Sequence, residues 1–239
     1  MKKQTPLLCA LLALGLCSAP LLASPLDGKK EPPKQEKKKD SADSPDKHPA
    51  PSGPRPIAIG TEIDAATSLS DCAGNAHTIK QYRGRVLVLV MWSTTNAKSV
   101  QMQRLAKLAA NYASKNVAVL GLDPVPGESK DAKAIAEALK KSGAPFSVLL
   151  DDGAILAERL GASALDEVFV LDGKGAVRYT GAVDDDPKGE KAEKAQAYLA
   201  AALDELLAGK EVANQNTPPN GGALRLPKRK PAPHSTPKR

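Results

Sequence analysis

Cysteine is scarce in this chain of 239 residues: there are three, at Cys9, Cys17 and Cys72. Two of them lie in an N-terminal stretch that reads as a secretory signal, so the mature protein would keep Cys72 alone. A single thiol closes no internal disulfide, and the fold must rest on its core. Histidine is equally scarce: His48 and His234 stand in polar flanks, and His77 stands alone in a strand. No His/Cys group has metal-ligand spacing, and no glycine-rich loop matches a nucleotide motif. Asp184, Asp185 and Asp186 lack the spacing of a calcium loop and read as a charged turn. Neither a metal nor a cofactor is predicted.

A long membrane-spanning run is also missing. Residues 7–16 are apolar, but too few to cross a bilayer comfortably, and Pro-rich polar sequence follows. Lys2 and Lys3 precede the run, and Ala23–Ser24 offers a small-residue cleavage site, so residues 1–23 are expected to be a cleaved signal. A retained anchor and lipid attachment at Cys17 are the alternatives. Export to the periplasm or the outside follows, with no transmembrane span once the signal is removed.

The charge is uneven. The formal net charge is +7, yet residues 29–55 carry +3, residues 212–239 carry +6 with no acid, and residues 56–211 carry −3. The basic character belongs to the flanks, which argues against a specific nucleic-acid-binding domain. Residues 24–56 and 213–239 are rich in Lys and Pro with little to bury, and are expected to be a disordered linker and a disordered tail. Between them, residues 57–212 suffice for one domain with a core.

Inside that domain the hydrophobic period is legible. Gly74–Asn75 falls between two short extended stretches, 68–70 and 77–79, and predicts a hairpin. Residues 86–92 and 117–122 are continuous apolar runs, the pattern of strands buried on both faces. Met102, Leu105, Ala109 and Tyr112 form one helical stripe, and Ile135, Ala138 and Leu139 another. Residues 146–150 predict a strand, 154–160 a short helix, and 168–171 with 176–179 a second hairpin. Leu199, Ala202, Leu203 and Leu206 mark the last helix. This order predicts a three-layer α/β/α sandwich around a mixed sheet, with an N-terminal β-hairpin.

Four stretches carry a family resemblance. They are Leu69–Ser70–Asp71–Cys72–Ala73–Gly74–Asn75 with Tyr82–Arg83–Gly84–Arg85 leading into residues 86–94, then residues 117–122. Glu167–Val168–Phe169–Val170–Leu171–Asp172 with Arg178–Tyr179–Thr180–Gly181 follows, and last come residues 206–212. In order and spacing they resemble the redoxin branch of the thioredoxin-fold superfamily, the AhpC/TSA and TlpA-like proteins. The resemblance implies a thioredoxin-like fold and thiol chemistry in the loop after the first long strand. There a helix N-terminus favours the thiolate that reacts.

This sequence departs from the family at those positions. The loop reads Trp92–Ser93–Thr94–Thr95–Asn96–Ala97–Lys98–Ser99. Counting from Trp92 places Asn96 and Ser99 at the two family cysteines; counting back from Arg104 places Thr95 at the first. A hydroxyl there would need a strong base to react, and no histidine is near in sequence. The family's cis-proline position holds Asp166, after Leu165, and a cis bond there would be costly, so a reshaped trans loop is expected. A Gly-Cys pair found after the last helix in one redoxin subgroup is here Gly221–Gly222. Residues 93–96 are the types preferred as helix N-caps and read as capping. Trp92 reads as core, and Cys72 as a small packed side chain beside the hairpin turn.

Three functions follow. The first is a catalytically degenerate module holding a protein partner in the inherited groove around Thr95, Asn96 and Asp166, or serving structurally. The second is a thiol oxidoreductase or antioxidant of the AhpC/TSA type working through Cys72, or hydroxyl chemistry at Thr95 or Ser99. The third is a tail-driven protein that contacts anionic envelope surfaces in a salt-sensitive way.

Overall fold

The computed structural model describes residues 57–227. The signal expected over 1–23, the linker expected over 24–56 and the residues from 228 onward lie outside the described residues. Two short strands, β1 (Ser68–Ser70) and β2 (Ala76–Thr78), form the N-terminal hairpin, paired antiparallel with Leu69 opposite His77. The main sheet has five strands in the order β5-β4-β3-β6-β7. Its members are β3 (Val86–Met91), β4 (Val117–Asp123), β5 (Val148–Leu150), β6 (Val168–Leu171) and β7 (Val177–Gly181). β3, β4 and β5 run parallel, while β6 and β7 are antiparallel to their neighbours. This is the mixed sheet that the alternation of strands and helices implies, and the fold is thioredoxin-like.

Alternate residues of β3 point into two apolar layers, which is why its sequence is apolar without a break. Val86, Val88, Val90 and Trp92 pack with Met102, Leu105 and Tyr112 of α1 (Val100–Tyr112). Leu199, Ala202 and Leu203 of α4 (Tyr198–Leu207) complete that layer. Leu87, Leu89 and Met91 face the other way, against Leu156, Ala157 and Leu160 of α3 (Ile155–Leu160) and against Ile63 and Ile79. Val88, Leu89 and Val90 are fully buried, and each such side chain contributes about 1.5–3 kcal/mol. Trp92 is also fully buried. Its place depends on Gly121 of β4, where a Cβ would come within 2.6 Å of Val148 Cγ2 and 3.3 Å of Trp92 Cβ.

Helix α2 (Ala132–Ser142) shows how local signals set an element's ends. Asp131 accepts the Ala134 N–H at 2.9 Å as its N-cap, and Gly143 closes it at φ 68 with its N–H on Leu139 O. Ile135 is its one buried residue, and Ala138 and Leu139 pack on the core from its flank.

One sequence expectation needs correction. The tail expected from 213 onward is held against the body over 213–227. Thr217 is buried, Asn216 bridges Thr180, Ala223 bridges Ala164, and Leu224 and Leu226 pack on the second apolar layer. Its apolar residues are too sparse to show a period, and all its partners are distant in sequence. The acidic triplet does lie in a charged turn before α4, and two of its three carboxylates are turned inward. Asp184 and Asp186 are buried, paired with the Arg104 guanidinium at 2.5 and 2.6 Å, and the Gln101 amide donates to Asp184 at 2.8 Å.

Candidate functional site

Strands β3 and β4 end side by side, and the loop from Trp92 to Ser99 leaves the sheet there before α1 begins. Trp92 N–H still bonds to Leu122 O across the two strands, so the loop starts from a fixed point. Its first turn closes on itself. Ser93 Oγ accepts the Thr95 N–H at 3.0 Å and shares a 2.6 Å hydrogen bond with Thr95 Oγ1, while Asn96 Oδ1 accepts the Ser93 N–H at 2.7 Å. The helix cap lies further on: Ser99 Oγ accepts the Met102 N–H at 3.0 Å. Residues 93–96 are therefore turn formers, and Ser99 is the cap, a correction to the capping expected of the four.

Asp166 approaches this loop from the turn before β6. It is 6% exposed, and both of its hydrogen bonds from the loop fall on Oδ1: Asn96 Nδ2 donates at 2.8 Å and Ser99 Oγ at 3.0 Å. Asn96 also donates to Met91 O at 3.1 Å. Burial pushes the Asp166 carboxyl up to about 6, against the lowering effect of the Ser99 and Asn96 bonds. The backbone at Asp166 has φ 63, and its N–H bonds to Met91 O at 2.9 Å. Proline could do neither, since its ring fixes φ near −65° and removes the N–H. Aspartate is among the few side chains that tolerate the left-handed region.

The structure thus joins Asn96, Ser99 and Asp166, three positions singled out in the sequence, and separates Thr95 from them. Thr95 turns with Thr94 and Lys98 to a groove of about 370 Å³ that reaches Glu137 and Lys141 of α2. Two further residues of this corner have no motif to announce them. Asp123, at the end of β4, is 1% exposed; Oδ1 takes the Val125 N–H, and no N–H donor among the described residues reaches Oδ2. Burial first, then the charge of Glu128 and a side-chain hydrogen bond shared with it, and last the Asp151 charge, push its carboxyl up to about 7 against that Val125 bond. Glu128 in turn accepts the Thr94 N–H at 2.8 Å, tying the β4 loop to the loop after β3. The one available signal is an acid directly at the end of a buried strand, before Pro124.

Cys72 stands elsewhere. It is partly buried on the hairpin turn, its N–H on Val148 O of edge strand β5 at 3.3 Å. Burial, and then the adjacent Asp71 carboxylate, push its thiol up, which disfavours the reactive thiolate. Beside it His77 Nε2 lies 3.0 Å from Asp71 Oδ2, and His77 Nδ1 lies 2.7 Å from Tyr82 Oη. Cys72 is the one free cysteine among the described residues, and no group of three or more His, Cys, Asp or Glu placed to hold a metal occurs among them.

The chain is similar in structure to a hypothetical protein of Sinorhizobium meliloti 1021, with a TM-score of 0.63 and 26% identity over 72% of this chain and 97% of that one. It is also similar to an uncharacterized conserved protein of Geobacillus kaustophilus, with a TM-score of 0.62 and 21% identity over 73% and 95%. No curated protein matches the chain. The Redoxin family model matches residues 58–199, from the segment before the hairpin into α4. With that match and the thioredoxin-like sheet beneath it, the chain belongs to the redoxin family.

Proposed function

We propose that this protein is an exported redoxin that has lost thiol catalysis and works as a binding module at the former redox corner. The observation that carries the reading is the Asn96–Ser99–Asp166 cluster. At the end of the central strand, where the resemblance implies a thiolate, a carboxamide and a hydroxyl are instead committed to a buried carboxylate. Asn96 and Ser99 meeting Asp166 together supports the register that counts forward from Trp92. A carboxamide is neither a nucleophile nor a redox group, and a hydroxyl cannot carry out thiol redox chemistry; Ser99 Oγ caps α1 and donates to the Asp166 carboxylate, a base far too weak to ionise a serine hydroxyl. The thiol at Cys72 lies outside this corner and is shifted away from the thiolate.

The groove beside Thr95, with Lys98, Glu137 and Lys141 on its rim, supports a protein partner rather than a small apolar ligand. Export rests on the N-terminal signal pattern. The Lys-rich flanks are read as spacers whose contact with anionic envelope surfaces would fade with salt.

Peroxide and disulfide reductase assays on the mature protein, beside Cys72→Ser, test this. Both proteins should show no turnover above the uncatalysed rate. Turnover by the wild type that is lost in Cys72→Ser would replace this reading with a Cys72 enzyme.

A further inference from the structure

Beyond α4 the chain returns across the candidate site, held in two unlike ways. The first is a pin. Thr217 is 3% exposed; its Oγ1 shares a 2.6 Å hydrogen bond with Tyr179 Oη and accepts the Ala182 N–H at 3.0 Å. Gly181 makes this possible, because a Cβ there would overlap Thr217. Pro218 and Pro219 follow, rigid residues with no N–H to donate.

Past the prolines comes an arm, in which no residue from 218 to 227 is buried. Its attachment is a short antiparallel ladder on the turn that carries Asp166. Leu165 N–H donates to Gly222 O at 2.7 Å, Leu224 N–H donates to Ser163 O at 2.9 Å, and Ala223 stands opposite Ala164. The Asn220 amide adds one bond to Asp184 O at 2.7 Å, and Leu224 and Leu226 are half-covered. At Gly221 the arm lies so close that a Cβ would overlap the Leu165 carbonyl oxygen.

We propose that residues 163–165 form a docking edge for an extended peptide, and that the arm 220–226 is an internal competitor hinged at residues 217–219. A segment with few buried contacts opens at low free-energy cost, whereas the pin beside it does not. Lifting the arm frees the Leu165 N–H and the Ser163 carbonyl, and free strand edges add a strand. Asp166, which receives the Asn96 and Ser99 hydrogen bonds, follows directly in sequence. The arm itself states what the edge accepts: a glycine against the Leu165 carbonyl, then apolar residues at alternate positions, as Leu224 and Leu226 with exposed Arg225 between them. This inference rests on the reading of the corner as a binding surface and names the partner's chemistry.

The test uses full-length protein and a fluorescent synthetic peptide with the sequence of residues 219–228. Gly221→Val should dislodge the arm. Gly222→Ala is the matched control, since an added Cβ there meets nothing within 4 Å. The Gly221→Val chain should bind the peptide at least about tenfold tighter than wild type or Gly222→Ala, because a closed arm weakens apparent affinity by the fraction of open chains. A peptide carrying the same Gly-to-Val change should not bind.

Amide exchange keeps the result readable. Leu165 and Leu224 should lose protection in Gly221→Val while β6 keeps it. Equal binding by all three chains overturns the proposal, as does no binding to a chain whose Leu165 amide is freed. If Gly221→Val fails to fold, wild-type exchange decides. Leu165 and Leu224 should exchange together, ahead of β6; exchange only with global unfolding overturns the hinge. Failure of the peptide leaves the non-catalytic reading standing, whereas thiol-dependent turnover would remove that reading and leave the arm's opening to be judged by exchange alone.

Discussion

Asp71 and Asp166 expose almost equally little surface, 5% and 6%, yet their carboxyls move in opposite directions. Burial raises both. At Asp71 the His77 and Asn75 side chains and the Asn75 and Ala73 N–H groups outweigh it and hold the carboxyl at about 2. At Asp166 two donors share one oxygen, and burial prevails, at about 6. Asp71 lies close to the surface while Asp166 is set much deeper among protein atoms, so depth and the number of donors together decide whether a buried carboxylate is comfortable. Asp71 is satisfied by the turn that it begins and so is a structural anchor for the hairpin. Asp166 is assembled from residues about seventy positions away and stays under-solvated, the condition found where a fold places its functional chemistry. Asp123, raised to about 7 at the same corner, falls on the Asp166 side of this divide.

The same substitution at the two sites should have opposite signs. Asp71→Asn removes a charge that four donors stabilise, and should cost about 2 kcal/mol at neutral pH in denaturant unfolding. Because the folded carboxyl sits below its ordinary value, that cost is full above about pH 4 and shrinks as pH falls through about 2. A variant as stable as wild type at neutral pH would show that the hairpin does not need the charge.

Ser99→Ala comes next, at about 1.5 kcal/mol, since it removes both the α1 cap and one donor to Asp166. Its second signature is a higher Asp166 titration midpoint, read by carboxyl NMR. A lost cap without that shift would separate Ser99 from the cluster.

The smallest effect is a gain. Asp166→Asn keeps tolerance of φ 63 and removes the titration, so it should stabilise by about 1 kcal/mol near pH 8. With the folded carboxyl raised, wild-type stability falls as pH rises from about 4 through about 6, and the variant's advantage should vanish below that window. A loss at pH 8 would mean that the charge itself holds the corner together.

Much of the fold was legible because its signals are local. The unbroken apolar run over β3, the stripe Met102–Leu105–Ala109–Tyr112 and the Gly74–Asn75 turn each need only neighbouring residues to be read, and each occurs as an element. The site was half legible. Asn96, Ser99 and Asp166 could be singled out by their place in the family pattern, but nothing in the sequence says that Ser99 and Asn96 share one oxygen of Asp166. Asp123 and Glu128 carry no motif, and the role of Asp123 arises from burial that only packing creates.

The segment after α4 marks the boundary most clearly. Read alone, residues 213–227 lack a hydrophobic period and resemble solvated tail. In the structure a threonine is buried there because Gly181 leaves a hole for it, and a glycine lies on the Leu165 carbonyl because no Cβ intervenes. The sequence by itself determined the order of strands and helices, the two-faced β3 and the absence of thiols from the loop after it, since period and residue identity are local properties of a chain. Tertiary structure alone decided which carboxylates are starved of donors and where the last residues lie, because both depend on partners far apart in sequence and on the space left between packed layers.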